Sequence, residues 1–139
     1  MKELPNSKRR QAGRKPKSLK KECDDLWFEC IKARAGYISE VSGKIGRQIG
    51  GDYILCGHHL RGKSSYRLRY DLDNGVCCTV GEHSFGFHRA DRREGLERKI
   101  LSRRGWKSFD RLELLKNSTS DLKAVKIYLE AKLEEFKNE

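Results

Sequence analysis

The sequence predicts a small α+β domain, mainly helical, built around one short β-hairpin. Three observations carry this reading. Runs with helical periodicity lie near the two ends of the chain, around Leu19 to Ile31 and Leu122 to Phe136. Two short β-prone runs, YILCGHHL at 53–60 and VCCTV at 76–80, sit between them. With 139 residues the chain can bury one modest core.

The elements follow in order. Residues 1–17 hold Pro5, Gly13 and Pro16 among basic side chains and have almost nothing to bury, so they read as a disordered arm. The folded domain is expected over 18–139. Ser18 is an N-cap, and Leu19, Cys23, Leu26 and Cys30 form a stripe that Trp27 and Ile31 widen. Gly36 is the expected stop. Residues 39–52 are rich in Gly and Ser and read as turn and loop, with room for a short hairpin. The strand at 53–60 follows, then a basic loop from Arg61 to Asn74, then the strand at 76–80. A helix can begin at Gly81. Asp91 is expected to cap another, in which Leu96 and Ile100 share a face and which Gly105 ends. The last helix follows the cap cluster NSTSD and carries Leu122, Val125, Leu129, Leu133 and Phe136 on one side.

The net charge is +11, and it is uneven. Residues 1–21 carry nine Lys or Arg against one Glu, which leaves 22 positive and 19 negative side chains for the rest. A cationic arm on a nearly balanced body suits a polyanion such as nucleic acid. A solubilising tail or a nuclear-localisation signal gives the same pattern. The arm lacks a following apolar stretch, so it does not read as a signal peptide. No run approaches the ~20 apolar residues that span a bilayer, and no membrane association is expected. Five cysteines, with no C-x-x-C pair, argue against a disulfide framework and against a four-cysteine zinc site. They fit reduced thiols in a cytoplasmic setting.

All four histidines, His58, His59, His83 and His88, fall within 31 residues. His58 and His59 are adjacent at a strand end, so their side chains point to opposite faces and cannot share one task. A strand–loop–strand–helix finger would return His83 to His58. Two or three imidazoles could then hold a metal with positions left open, while His59 stays free as a neutral general base. The loop RGKSSYRLRY adds Arg61, Lys63, Arg67 and Arg69, suited to neutralising phosphates, and Arg89, Arg92, Arg93, Arg103, Arg104 and Lys107 extend the positive surface. The helical charges among them also read as ordinary solvated faces. Asp71 and Asp73 read as turn residues.

The pair His58-His59, the DN ending at Asn74 and the His83 nine positions later resemble the HNH, or ββα-metal, endonucleases. The text LRYDLDNGVCC and the helix CDDLWFECIKARAGY resemble the phage recombination endonucleases of the NinG type. The resemblance implies a ββα-metal finger and a metal-dependent DNA endonuclease acting on recombination or branched DNA. It implies His59 as general base and Asn74 as the residue that fixes the loop. His58, His83 and, as third ligand, His88 would hold one divalent cation, with products ending in 5′-phosphate and 3′-hydroxyl. Magnesium or manganese is expected in catalysis, with zinc or nickel also suited to a histidine site. The partner is duplex or branched DNA, a homodimer is possible, and the compartment is the cytoplasm, or the host's if the gene is a phage's. Two features depart from the family. Ser39, Ser42, Thr79 and Glu82 stand where four zinc-binding cysteines are usual, so packing must brace the finger. His88 also follows His83 by five residues, where four would share a helical face. The competing reading is a noncatalytic DNA-binding protein that uses the histidines, His59 included, for a structural zinc.

Overall fold

The computed structural model describes residues 16–104, 111–112, 115 and 120–138. Most of the basic arm, Gly105, Lys107 and the first part of the NSTSD cluster lie outside them. Among the described residues the fold is α+β, with one two-stranded antiparallel sheet and helices on both of its faces.

Helix α1 spans Leu19–Arg34. The Ser18 hydroxyl accepts a hydrogen bond from the Lys21 N–H and so satisfies one of the free donors of the first turn. The helix ends two residues before Gly36, which takes φ +65°. Strand β1 is Leu55–His59 and strand β2 is Gly75–Thr79, with Leu55 opposite Thr79 and His59 opposite Gly75. Strand β1 is shorter than the 53–60 run that announces it, and β2 has the five residues of its run but starts one residue earlier.

Side chains alternate across this ribbon. Leu55 and Cys77 join Cys23, Trp27, Cys30, Ile31, Val125 and Leu129 in a core between the sheet, α1 and the last helix, α5 (Leu122–Lys137). On the other face, Val76 and Cys78 pack with Leu60, Leu68, Phe87, Ile100 and Leu101. Helix α5 lies along α1, where the thiols of Cys23 and Cys30 bond the carbonyls of Leu122 and Leu129. The five cysteines are free thiols, four of them buried.

The segment expected as a plain basic loop has structure of its own. It contains a four-residue helix α2, Tyr66–Arg69, capped by Ser65, and a 3-10 turn at Leu72–Asn74 capped by Asp71. Asp71 and Asp73 both pair with Arg111, so they serve the turn. After β2 comes α3, Val80–Glu82, which runs directly into a π turn at His83–Phe87. Helix α4 then spans Ala90–Arg104. It begins before Asp91, which therefore lies in the first turn and is not its cap.

No helix among the described residues is long and apolar enough to cross a membrane.

Candidate metal and catalytic site

The histidines divide between the two faces of β1, as adjacent strand residues must. His59 lies flat on the indole of Trp27, with ring centroids 4.0 Å apart and planes within 2°. Two glycines permit this approach. A Cβ on Gly75 would come within 2.6 Å of the Trp27 ring and 2.2 Å of Ile31, and one on Gly57 within 2.9 Å of Phe28. The His59 Nε2 is 3.0 Å from the carbonyl oxygen of Arg69. A carbonyl only accepts, so that nitrogen carries the proton and Nδ1 keeps the lone pair. Burial pushes the imidazole down to about 4, against the Arg69 hydrogen bond, and the charges of Lys63 and Arg69 add to the effect. His59 is therefore neutral at pH 7.

Asn74 holds the chain that supplies this carbonyl. Its side chain is fully buried. Its Oδ1 accepts from the Arg61 N–H at 2.7 Å, and its Nδ2 donates to the Gly62 and Leu68 carbonyls at 2.8 and 2.9 Å. Its own carbonyl accepts from the Leu60 N–H, directly after His59. One amide thus ties the strand end, the loop start and α2 together.

On the opposite face His58 is 6% exposed and stacks on Phe87 at 4.1 Å. His58, His83 and His88 each present a ring nitrogen, and the three nitrogens lie within 4.8 Å of one another. The five-residue interval between His83 and His88 does not spoil this, because the helix between them is a π turn. The His88 N–H bonds the His83 carbonyl five residues back, and the two Nε2 atoms stand 3.0 Å apart. Burial and the neighbouring imidazoles of His88 and His58 bring His83 down to about 4, so it offers a lone pair at neutral pH. Two metal–nitrogen bonds of about 2.1 Å at the tetrahedral angle put their nitrogens about 3.4 Å apart, so the rings would close in by up to about 1.4 Å to share one ion. Three imidazoles suit a borderline cation such as zinc, nickel or copper, while manganese prefers oxygen ligands. The donor set fits a metal and does not specify which.

Both histidine groups open into one cleft of about 350 Å³, lined by Trp27, His58, His59, Lys63, Arg69, His83, His88 and Arg93. Of the cations expected to contact DNA, Lys63 and Arg69 line this cleft, whereas Arg61, Arg67 and Arg89 are not among its lining residues. Lys63 and Arg67 are exposed, and Arg61 is half-buried with its backbone held by Asn74. Arg69, expected to contact phosphate, gives both arms of its fork to the Asp24 carboxylate at 2.7 and 2.9 Å. Its guanidinium fixes α2 to α1, and so steadies the carbonyl that orients His59. Arg89 is exposed at 3.3 Å from Asp91. Arg103 and Arg104 bond the backbone and carboxylate of Glu40, so these charges hold the fold together.

Sequence reasoning missed three features. Trp27 reads as core and is also the platform under His59. Glu97, which the sequence does not single out, places its carboxylate 3.3 Å from His58 Nε2; its signal is an acidic residue beside the apolar face of Leu96, Ile100 and Leu101. The third is a polar knot. The Ser39 hydroxyl donates to Glu82 Oε1 at 2.6 Å and accepts from the Ser42 N–H, while Thr79 and Glu82 exchange bonds in a capping box. Although burial raises the Glu82 carboxyl, bonds from Ser39, Ser42 and Thr79 and the charge of Lys44 hold it below its ordinary value. The four positions where the resemblance would have zinc-binding cysteines thus meet as a hydrogen-bonded brace.

No protein-family model, curated protein or solved structure matches this chain.

Proposed function

We propose that this protein is a metal-dependent DNA endonuclease of the HNH, or ββα-metal, type, acting on recombination or branched DNA. One observation carries the reading: a single strand end sends one imidazole, neutral and fixed in tautomer, to one face and a second imidazole to a three-histidine cluster on the other, and both reach the same cleft. A structural zinc would use His59 as a ligand. His59 instead stacks on Trp27 and bonds Arg69, which favours catalysis over the noncatalytic alternative.

In this reading His59 Nδ1 takes the proton of the attacking water. A pKa of about 4 makes a free imidazole a weak base. A phosphodiester entering the cleft offsets the charge of Lys63, one of the smaller causes that lower it, and so raises it. Trp27 and the Arg69 carbonyl prevent the ring from turning, so little reorganisation is needed as charge develops. Asn74 keeps the loop in register with the strand. His58, His83 and His88 would hold one divalent cation, which when bound supplies Lewis-acid stabilisation of the scissile phosphate and the leaving 3′ oxygen. Lys63 at the cleft, and Arg61, Arg67 and Arg89 outside it, would contact phosphates without reading bases, which suits recognition of DNA shape.

The test is incubation of end-labelled duplex and four-way-junction DNA with manganese, magnesium or EDTA. The expected result is cutting that needs metal, prefers the junction and leaves 5′-phosphate ends that ligase can reseal. DNA binding with no cutting in any metal would overturn the proposal in favour of a binding module.

A further inference from the structure

We infer that Glu97 is the positioning residue of the metal centre: its carboxylate accepts the Nε2 proton of His58 and so commits the His58 Nδ1 lone pair to the ion. This rests on the metal-centre reading of His58, His83 and His88. A neutral imidazole has one N–H and one lone pair, so a partner that captures one nitrogen decides which nitrogen can bind a metal. Metal-binding histidines commonly hold such a second partner, which also makes the ligand more basic.

The geometry gives Glu97 this position. Its Oε1 is 3.3 Å from His58 Nε2, and both side chains are largely buried, at 15% and 7% exposure. Burial of a carboxylate is costly unless it is bonded. Glu97 meets that cost with His58 on one side and with Arg93, whose Nε donates to the same oxygen at 2.9 Å, on the other. The stack on Phe87 holds the His58 ring from one face, and His83 and His88 stand edge-on to it. Phe87 sets the plane of the ring but cannot distinguish its two nitrogens. Glu97 can. The residue reaches the site because Leu96, Ile100 and Leu101 seat α4 against the core that contains Phe87. The finger alone therefore supplies the ligands, and α4 supplies their orientation.

The experiment compares the full chain with Glu97→Ala and Glu97→Gln. Metal-free samples are read by long-range proton–nitrogen NMR of the imidazoles, and manganese and zinc affinities by calorimetry. Glutamine keeps an oxygen acceptor without the charge, and it guards against a variant that merely fails to fold. His58 is expected as the Nε2–H tautomer in the wild type and in Glu97→Gln, and as a mixture in Glu97→Ala. Metal binding is expected to weaken by about 10- to 100-fold in Glu97→Ala and by less in Glu97→Gln. Wild-type affinity in a folded Glu97→Ala, or an Nδ1–H tautomer in the wild type, would overturn the role of Glu97 and leave the metal centre standing. A wild-type protein that binds neither metal would overturn the metal centre itself, and this inference with it.

Discussion

Replacing Asn74 by alanine probes the joint between fold and site. Three side-chain hydrogen bonds disappear together, to the Arg61 N–H and to the Gly62 and Leu68 carbonyls. Each is worth about 1 kcal/mol net. The expected loss is about 3 kcal/mol, a large part of the roughly 5–15 kcal/mol that holds a domain together. Asn74→Asp is the informative partner. It keeps the acceptor for Arg61 but sets a carboxylate oxygen against two carbonyls, so its folded pKa must rise. A raised carboxyl pKa disfavours the folded state at high pH, and the penalty diminishes as pH falls through the raised value. Urea unfolding, followed by far-ultraviolet circular dichroism, should show Asn74→Asp approaching wild type between pH 7 and 5 while Asn74→Ala keeps its deficit. A loss below about 1 kcal/mol for Asn74→Ala, less than a single buried bond, or a pH-independent Asn74→Asp deficit, would refute the staple.

Other expectations follow from the same geometry. His83→Ala and His88→Ala should each weaken manganese or zinc binding in calorimetry by about tenfold or more, whereas His59→Ala should leave it nearly unchanged; equal losses in all three would make His59 a ligand. Gly75→Ala places a methyl group into Ile31 and Trp27 and should cost about 2 kcal/mol in chemical denaturation, with a change in near-ultraviolet dichroism as the indole moves. For Asp24, burial raises the carboxyl but bonds from Arg69 and Tyr70 lower it more, so its folded pKa lies below its ordinary value. Its contribution is therefore present above about pH 4 and lost as pH falls through the lower, folded value. The stability gap between wild type and Asp24→Asn should be flat from pH 5 to 8 and shrink below 4; a gap that persists to pH 3 would mean the pair with Arg69 contributes nothing.

Much of this was legible in the sequence because it depends on local period. The stripe of Cys23, Trp27, Cys30 and Ile31 gives α1, and the adjacency of His58 and His59 in a strand fixes their opposite faces. What was hidden depends on contacts between distant elements. Arg69 reads as a loop cation, and only the packing of α2 on α1 brings it to Asp24. Glu97 reads as one charge among many on α4 until Phe87 and Leu101 seat that helix beside His58. The interval from His83 to His88 reads as a misfit because helical period assumes α geometry, and a π turn adds the one residue that resolves it. Ser39 and Glu82 are 43 residues apart, so no local pattern announces their bond.

The most direct test of the account is single-turnover cleavage of a labelled four-way junction in manganese by the intact protein and by His59→Ala, with junction binding measured in parallel. The expected result is unchanged binding and a cleavage rate lower by about 10²- to 10⁴-fold, the usual worth of a general base. Equal cleavage by the two proteins would contradict the assignment of His59, and with it the division of labour between the two faces of the strand.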